Sequence, residues 1–233
     1  MEIFFILSRP AVAENIGAAA RALKTMGFGH LRLVAPADHL SSGARKLAHG
    51  ANDILEQAQL FATTTAAAED LDFIIGTTAR PRNIRQDYLP AGRLKTFLSE
   101  RGNMIRRAGI LFGSEASGLS NEEIALCDIL SYLPLAVPYP SLNLAQAVML
   151  YAYELSGIPP QTRDTAAGDK AAWRVLKEKT VRLLPLLGIH PARPVYHRIL
   201  ERLALAGETD LHLLLSVTDA ALKKLEDRNV EPT

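Results

Sequence analysis

The chain has 233 residues, 48% apolar and 22% charged; that fits one large domain, or one of about 150 residues with an appendage, and excludes disorder. Lys and Arg total 26 against 25 Asp and Glu, a formal charge of +1, which excludes a uniformly basic nucleic-acid coat but not a local basic patch. The single cysteine, Cys127, cannot close an internal disulfide, and no stretch approaches the ~20 apolar residues of a membrane span, so a soluble cytoplasmic protein is expected.

Short apolar runs at residues 3–7, 31–34, 59–61, 73–76, 109–112 and 129–133 lack strict polar alternation and read as strands buried on both faces. Segments with helical spacing separate them, which predicts a mainly parallel sheet with helices on both faces. In the first helix Ile16, Ala20, Leu23 and Met26 share a face, and Gly27 and Gly29 end it. Ser120 with Glu123 forms a capping box, and Ala145, Val148, Ala152 and Leu155 line a later helix closed by Gly157. A Pro/Gly/polar stretch follows, so the expected division is a domain at 1–157, a linker at 158–169 and a helical extension at 170–233. The extension carries three apolar stripes, beginning at Trp173, Tyr196 and Leu211; at roughly 60 residues it is expected to pack on the first domain or on a second subunit.

Several chemistries find no support. No G-x-G-x-x-G opens a helix, no Gly-Lys-Ser/Thr loop or G-x-S-x-G elbow occurs, and the six histidines include no i, i+4 pair, so no metal is expected. Three segments ask for more than packing. In Asn15–Arg21 a guanidinium stands on an alanine-rich helix, suited to phosphate or carboxylate; six residues are about 240° of helix, so Asn15 can join Arg21 only from the entry turn. In residues 111–120 a buried strand runs into Gly113 and Gly118 flanking Glu115, where a plain turn needs one glycine at most. In residues 133–145 Pro134, Pro138 and Pro140 stiffen a loop ending at Ser141 and Asn143, either of which could cap the next helix. Residues 80–107 add eight basic side chains against two acidic ones, starting at the end of a buried strand, and point to a phosphate-binding surface.

In order, N-x-G-x-x-x-R, F-G-x-E-x-x-G-L-S and S-L-N-L-A resemble the three signature segments of the SpoU/TrmH-type RNA ribose 2′-O-methyltransferases of the knotted SPOUT superfamily, and the intervening sequence is most similar to its TrmJ/LasT-like branch. The resemblance covers about residues 1–157. It implies a SPOUT α/β knot with a C-terminal trefoil, a homodimer, and S-adenosylmethionine bound by the knot loops. Carried over by position, cofactor contacts fall on Thr77, Thr78, Ala79, Gly113, Leu133, Pro140, Ser141 and Leu142. Asn15 and Arg21 would handle the target ribose from the opposite subunit, Glu115, Ser141 and Asn143 would support the loops and the reacting hydroxyl, and Arg80, Arg82 and Arg85 would meet RNA. Ser114 stands where relatives often carry Arg, a departure that bears on RNA specificity more than on methyl transfer. The implied activity is methylation of a ribose 2′-hydroxyl of tRNA, in the anticodon loop, with rRNA second. The rival reading is a catalytically inactive RNA-binding or regulatory protein of the same fold.

Overall fold

The computed structural model describes residues 1–79, 88–102, 104–137, 141–158 and 172–228. The chain begins with strand β1 (Glu2–Ser8), helix α1 (Ala13–Thr25) and β2 (Leu31–Val34). It continues with α2 (Ser42–Ala48), a 3-10 turn (His49–Ala51), α3 (Asn52–Glu56), β3 (Gln59–Phe61), α4 (Thr64–Ala68) and β4 (Phe73–Thr78). Then come β5 (Tyr88–Pro90), α5 (Ala91–Ser99), β6 (Arg107–Phe112), α6 (Asn121–Leu126), β7 (Ile129–Tyr132) and α7 (Leu144–Leu155). Three helices complete it: α8 (Ala172–Leu186), α9 (Pro194–Ala204) and α10 (Glu208–Arg228).

The strands form one seven-stranded sheet in the order β3-β2-β1-β6-β4-β7-β5, every neighbouring pair parallel. Two late strands are inserted between earlier ones: β6 between β1 and β4, and β7 between β4 and β5. Chain direction across the sheet reverses beside β1, and in parallel sheets such a reversal opens a crevice at the carboxyl ends of the strands.

Alternation along β1 separates two cores. Ile3, Phe5 and Leu7 face a large cluster with Ile16, Ala20, Leu94, Val148 and Tyr151, whereas Phe4 and Ile6 face a smaller one with Ala67, Ile124 and Cys127. Helices α1, α5 and α7 therefore cover one face, and α4 and α6 the other. The strands expected to be buried on both faces are so in β1 from its second residue, in β2 and in most of β4, β6 and β7. Strand β3 departs from that reading: it is an edge strand, with Leu60 56% exposed, and its three residues were too few to reveal an edge. Strand β5, the other edge, carried no apolar run and was not anticipated.

Helices α8 and α9 are held by residues of the preceding elements. Trp173 is buried against Phe73 with ring centroids 5.7 Å apart, the Arg101 guanidinium donates to the Leu205 carbonyl at 2.7 Å, and Lys177 pairs with buried Asp128 at 2.5 Å. Those bonds also alter the reading of the basic run. Within it Arg101 is buried and Arg107 bridges Glu2 and Asp70, so these two side chains are engaged by the chain itself.

Candidate active site

Loops at the carboxyl ends of β1, β4, β6 and β7 converge on a cavity of about 830 Å³. Its apolar part includes Phe112, Leu119, Ile124, Leu130, Leu133 and Leu142; its polar part includes Asn15, Thr77, Thr78, Glu115, Ser141 and Asn143. Buried Tyr151 closes one side and donates its hydroxyl to Ser131 Oγ at 3.2 Å. Burial pushes the Tyr151 phenol far up, outweighing that bond, so it is a neutral wall and no proton acceptor at physiological pH.

The β6–α6 loop owes both glycines to its own closure. A β-carbon on Gly113 would lie 2.0 Å from the Gly118 carbonyl carbon, Gly118 has φ +68°, and its N–H donates to the Ser114 carbonyl at 2.8 Å. The expectation that a turn needs one glycine at most is thus corrected: here the two are packed backbone to backbone. The closed turn presents Glu115, whose Oε2 accepts from the Ala11 N–H and whose Oε1 accepts from Asn15 Nδ2, each at 3.0 Å. Partial burial works to raise the Glu115 carboxyl, but the bonds from Asn15 and from the N–H groups of Ala11, Glu115 and Val12 outweigh it and hold it below the usual carboxylate range.

Asn15 is the third residue of α1, in the entry turn that its spacing from Arg21 required. Its Oδ1 accepts from Asn143 Nδ2 at 2.8 Å, so one amide links a carboxylate on the β6–α6 loop to the start of α7. Asn143 has a second task. It is the N-cap of α7, its Oδ1 accepting from the Ala145 N–H at 2.9 Å and its N–H donating to Gln146 at 3.1 Å. Of the two capping candidates Asn143 is the one used, which leaves the exposed Ser141 out of the cap and on the cavity wall.

Thr77, Thr78, Ala79, Gly113, Leu133, Ser141 and Leu142 all line this cavity; Pro140, Arg80, Arg82 and Arg85 lie outside the described residues. Arg21 does not line it. The residue is exposed on α1, and among the described residues its guanidinium makes no hydrogen bond or ion pair. Asn15 thus lies within the cavity of its own chain, bonded to Glu115 and Asn143, and Arg21 lies outside it. Among the described residues there is no group of three or more His, Cys, Asp or Glu able to hold a metal ion, and no helix long and apolar enough to cross a membrane.

Sequence reasoning missed a second polar cluster just behind the site. Buried Glu123, foreseen only as half of a capping box, also accepts from Ser8, Thr64 and Arg9. The capping box was its one signal in the sequence.

Comparison with known proteins agrees with the motifs. Residues 2–153 match the SpoU rRNA Methylase family. The chain is 41% identical over 219 residues to the uncharacterized tRNA/rRNA methyltransferase LasT of Escherichia coli, covering 92% of this chain and 96% of that one. It is 36% identical over 157 residues to the tRNA (cytidine-2′-O-)-methyltransferase TrmJ of Methanocaldococcus jannaschii, 66% of each chain. The crystal structure of TrmJ from Z. mobilis superposes with a TM-score of 0.66 at 29% identity, over 94% of this chain and 99% of that one. Signature motifs gathered at one cavity, a family match over most of the chain and relatives alike along their length place this protein in the SpoU methylase family, in its TrmJ/LasT-like branch.

Proposed function

We propose that this protein is an S-adenosylmethionine-dependent RNA methyltransferase acting on a ribose 2′-hydroxyl, with the tRNA anticodon loop as substrate ahead of rRNA. The observation that carries the reading is the cavity itself, where all three signature segments meet at the ends of parallel strands. Its volume and lining fit the cofactor: apolar Leu130, Leu133 and Leu142 suit an adenine ring, and Gly113 lies on the cavity wall. Thr77, Thr78, Ala79, Ser141 and Leu142, with Pro140, would hold it. When bound, S-adenosylmethionine supplies a methyl group on a sulfonium, already activated toward nucleophiles.

What remains for the protein is alignment and management of one proton. The 2′-hydroxyl oxygen must approach in line with the methyl carbon and the departing sulfur, and holding that geometry supplies most of the acceleration. The chain from the Glu115 carboxylate through the Asn15 amide to the Asn143 amide fixes the two loops between which the ribose would lie. Ser141 stands on the cavity wall as a contact for the hydroxyl. An arginine is a poor general base because its pKa is so high. Arg21 instead grips the ribose or its phosphate and stabilises the developing oxyanion; as the O–C bond forms and the C–S bond breaks, the hydroxyl proton passes to a phosphate oxygen of the RNA or to water. Its exposure on α1, outside its own chain's cavity, favours service to the cavity of a second subunit, so the working form is a homodimer. We read the inserted strands β6 and β7 as the core of a C-terminal trefoil knot, and residues 158–169 as the linker to the helical extension at 170–233. Arg80, Arg82 and Arg85 contact RNA, and the protein works in the cytoplasm among its tRNA substrates.

The decisive experiment pairs calorimetric titration of S-adenosylmethionine with transfer of its labelled methyl group to total tRNA. Arg21→Ala is expected to bind the cofactor as the wild type does and to lose about 100- to 1,000-fold in transfer. A wild-type protein that binds no S-adenosylmethionine overturns the reading.

A further inference from the structure

The chain leaves β1 at Ser8 and enters the site at Asn15, and two carboxylates from one neighbouring segment hold that passage. Glu115 takes its far end, through the Ala11 N–H and the Asn15 amide. Glu123, eight residues further along, takes its near end: Ser8 Oγ donates to its Oε1, and Arg9 Nη2 donates to its Oε2 at 2.9 Å. The same carboxylate accepts from Thr64 Oγ1 at 2.9 Å and from the Ser120 N–H at 2.7 Å, so α4 and the start of α6 are tied to the same point. Glu123 is 3% exposed and does not line the main cavity; it faces a smaller one of about 340 Å³ on the other side of α6.

A cap and a stabilising ion pair would account for part of this arrangement, but not for the backbone at Arg9. That residue has φ +49°, a left-handed conformation that a side chain disfavours, and it persists only where its surroundings impose it. Two bonds do so: the Arg9 N–H donates to the Val34 carbonyl at 2.8 Å, and the guanidinium is drawn onto Glu123. The turn at Arg9 sets the direction in which residues 10–15 run. That direction decides whether Asn15 meets Asn143.

We propose that Glu123 is a positioning residue for the site, acting through the strained turn at Arg9 on Asn15. It touches neither substrate nor cofactor. The proposal rests on the methyltransferase reading only for its activity readout.

The test uses full-length Glu123→Gln, Arg9→Gly and Ser120→Ala, each compared with the wild type. The measurements are Tm, calorimetric affinity for S-adenosylmethionine, kcat and KM on tRNA, and the ¹H–¹⁵N resonance of the Asn15 side-chain amide. Glu123→Gln is expected to lower kcat about 10- to 100-fold while cofactor affinity holds, and to move the Asn15 resonance, because a misplacement far from the chemistry is felt in the aligned complex. Ser120→Ala removes a cap bond but leaves the Ser8, Thr64 and Arg9 bonds, so it lowers Tm and keeps kcat within about threefold. Arg9→Gly adopts the turn without strain, so it folds even if Glu123→Gln does not, and still lowers kcat because nothing fixes the turn. An Asn15 resonance unmoved in every folded variant, or a loss of kcat in Ser120→Ala equal to that in Glu123→Gln or, should that not fold, in Arg9→Gly, overturns the proposal. If the wild type methylates no RNA, the functional reading falls, and the Asn15 resonance alone decides the role of Glu123.

Discussion

Asp70 shows how one side chain can serve two cations at unequal depth. It accepts from Arg32, which is 1% exposed and lies over the Phe4 ring, and from the half-buried Arg107. Its carboxyl is lowered from the ordinary 3.8 to about 2, first by the Arg32 hydrogen bond and then by the charges of Arg32 and Arg107 working against burial. A lowered carboxyl contributes stability that is present above its unfolded value and lost as pH falls through its folded one. Asp70→Asn is therefore expected to cost about 2 kcal/mol at neutral pH, chiefly by stranding the buried Arg32 charge, with the discount that a half-exposed partner requires. Urea denaturation of both proteins between pH 7 and about 2 should show that difference shrinking below about pH 4. The carboxyls of Glu115 and Glu123 are also held low, so they add to the same acid-side loss.

At the scale of elements, the caps place the chemistry. Helix α7 begins where Asn143 caps it, so the residue that fixes its start also delivers an amide to Asn15. Asn143→Asp separates the two tasks. Aspartate caps as well as asparagine, so Tm should change little; the donor to Asn15 is lost, two carboxylates then compete for one amide, and methyl transfer should fall about 10- to 100-fold. Denaturation and transfer assays on the same preparation would check this, and a parallel loss of both would count against the dual role.

Much of this level was legible beforehand, and the residues explain why. Strands β2 and β3 were bounded correctly because apolar runs end at polar or small residues, and the Ser120–Glu123 box is a local signal read within four residues. Motif residues marked the cavity because three separate segments bring them to strand ends. Long-range facts stayed hidden. Gly17 faces the Ala44 backbone, where a β-carbon would come within 2.0 Å of the carbonyl oxygen, and nothing near either residue announces the other. Glu123 meets Ser8 from 115 positions away, so its buried role could not be read from its helix alone.

Over the whole molecule, helix α8 completes the large core. Trp173 is 2% exposed against Phe73, and Leu176 is fully buried with it. Trp173→Ala should cost about 3–5 kcal/mol, as expected for truncating a buried aromatic. A drop in Tm with S-adenosylmethionine affinity retained would show that α8 supports the core without shaping the cavity.

The sheet order has a consequence for how the protein is made. Strand β1 lies between β2 and β6, and Glu2 is aligned with Arg107. At a ribosomal rate of about 5–20 residues per second, the nascent β1 waits several seconds or more with one edge unpaired. A partly synthesised chain thus exposes an apolar ribbon of Ile3, Phe4, Phe5, Ile6 and Leu7, the kind of edge that chaperones shield and that aggregates seed upon.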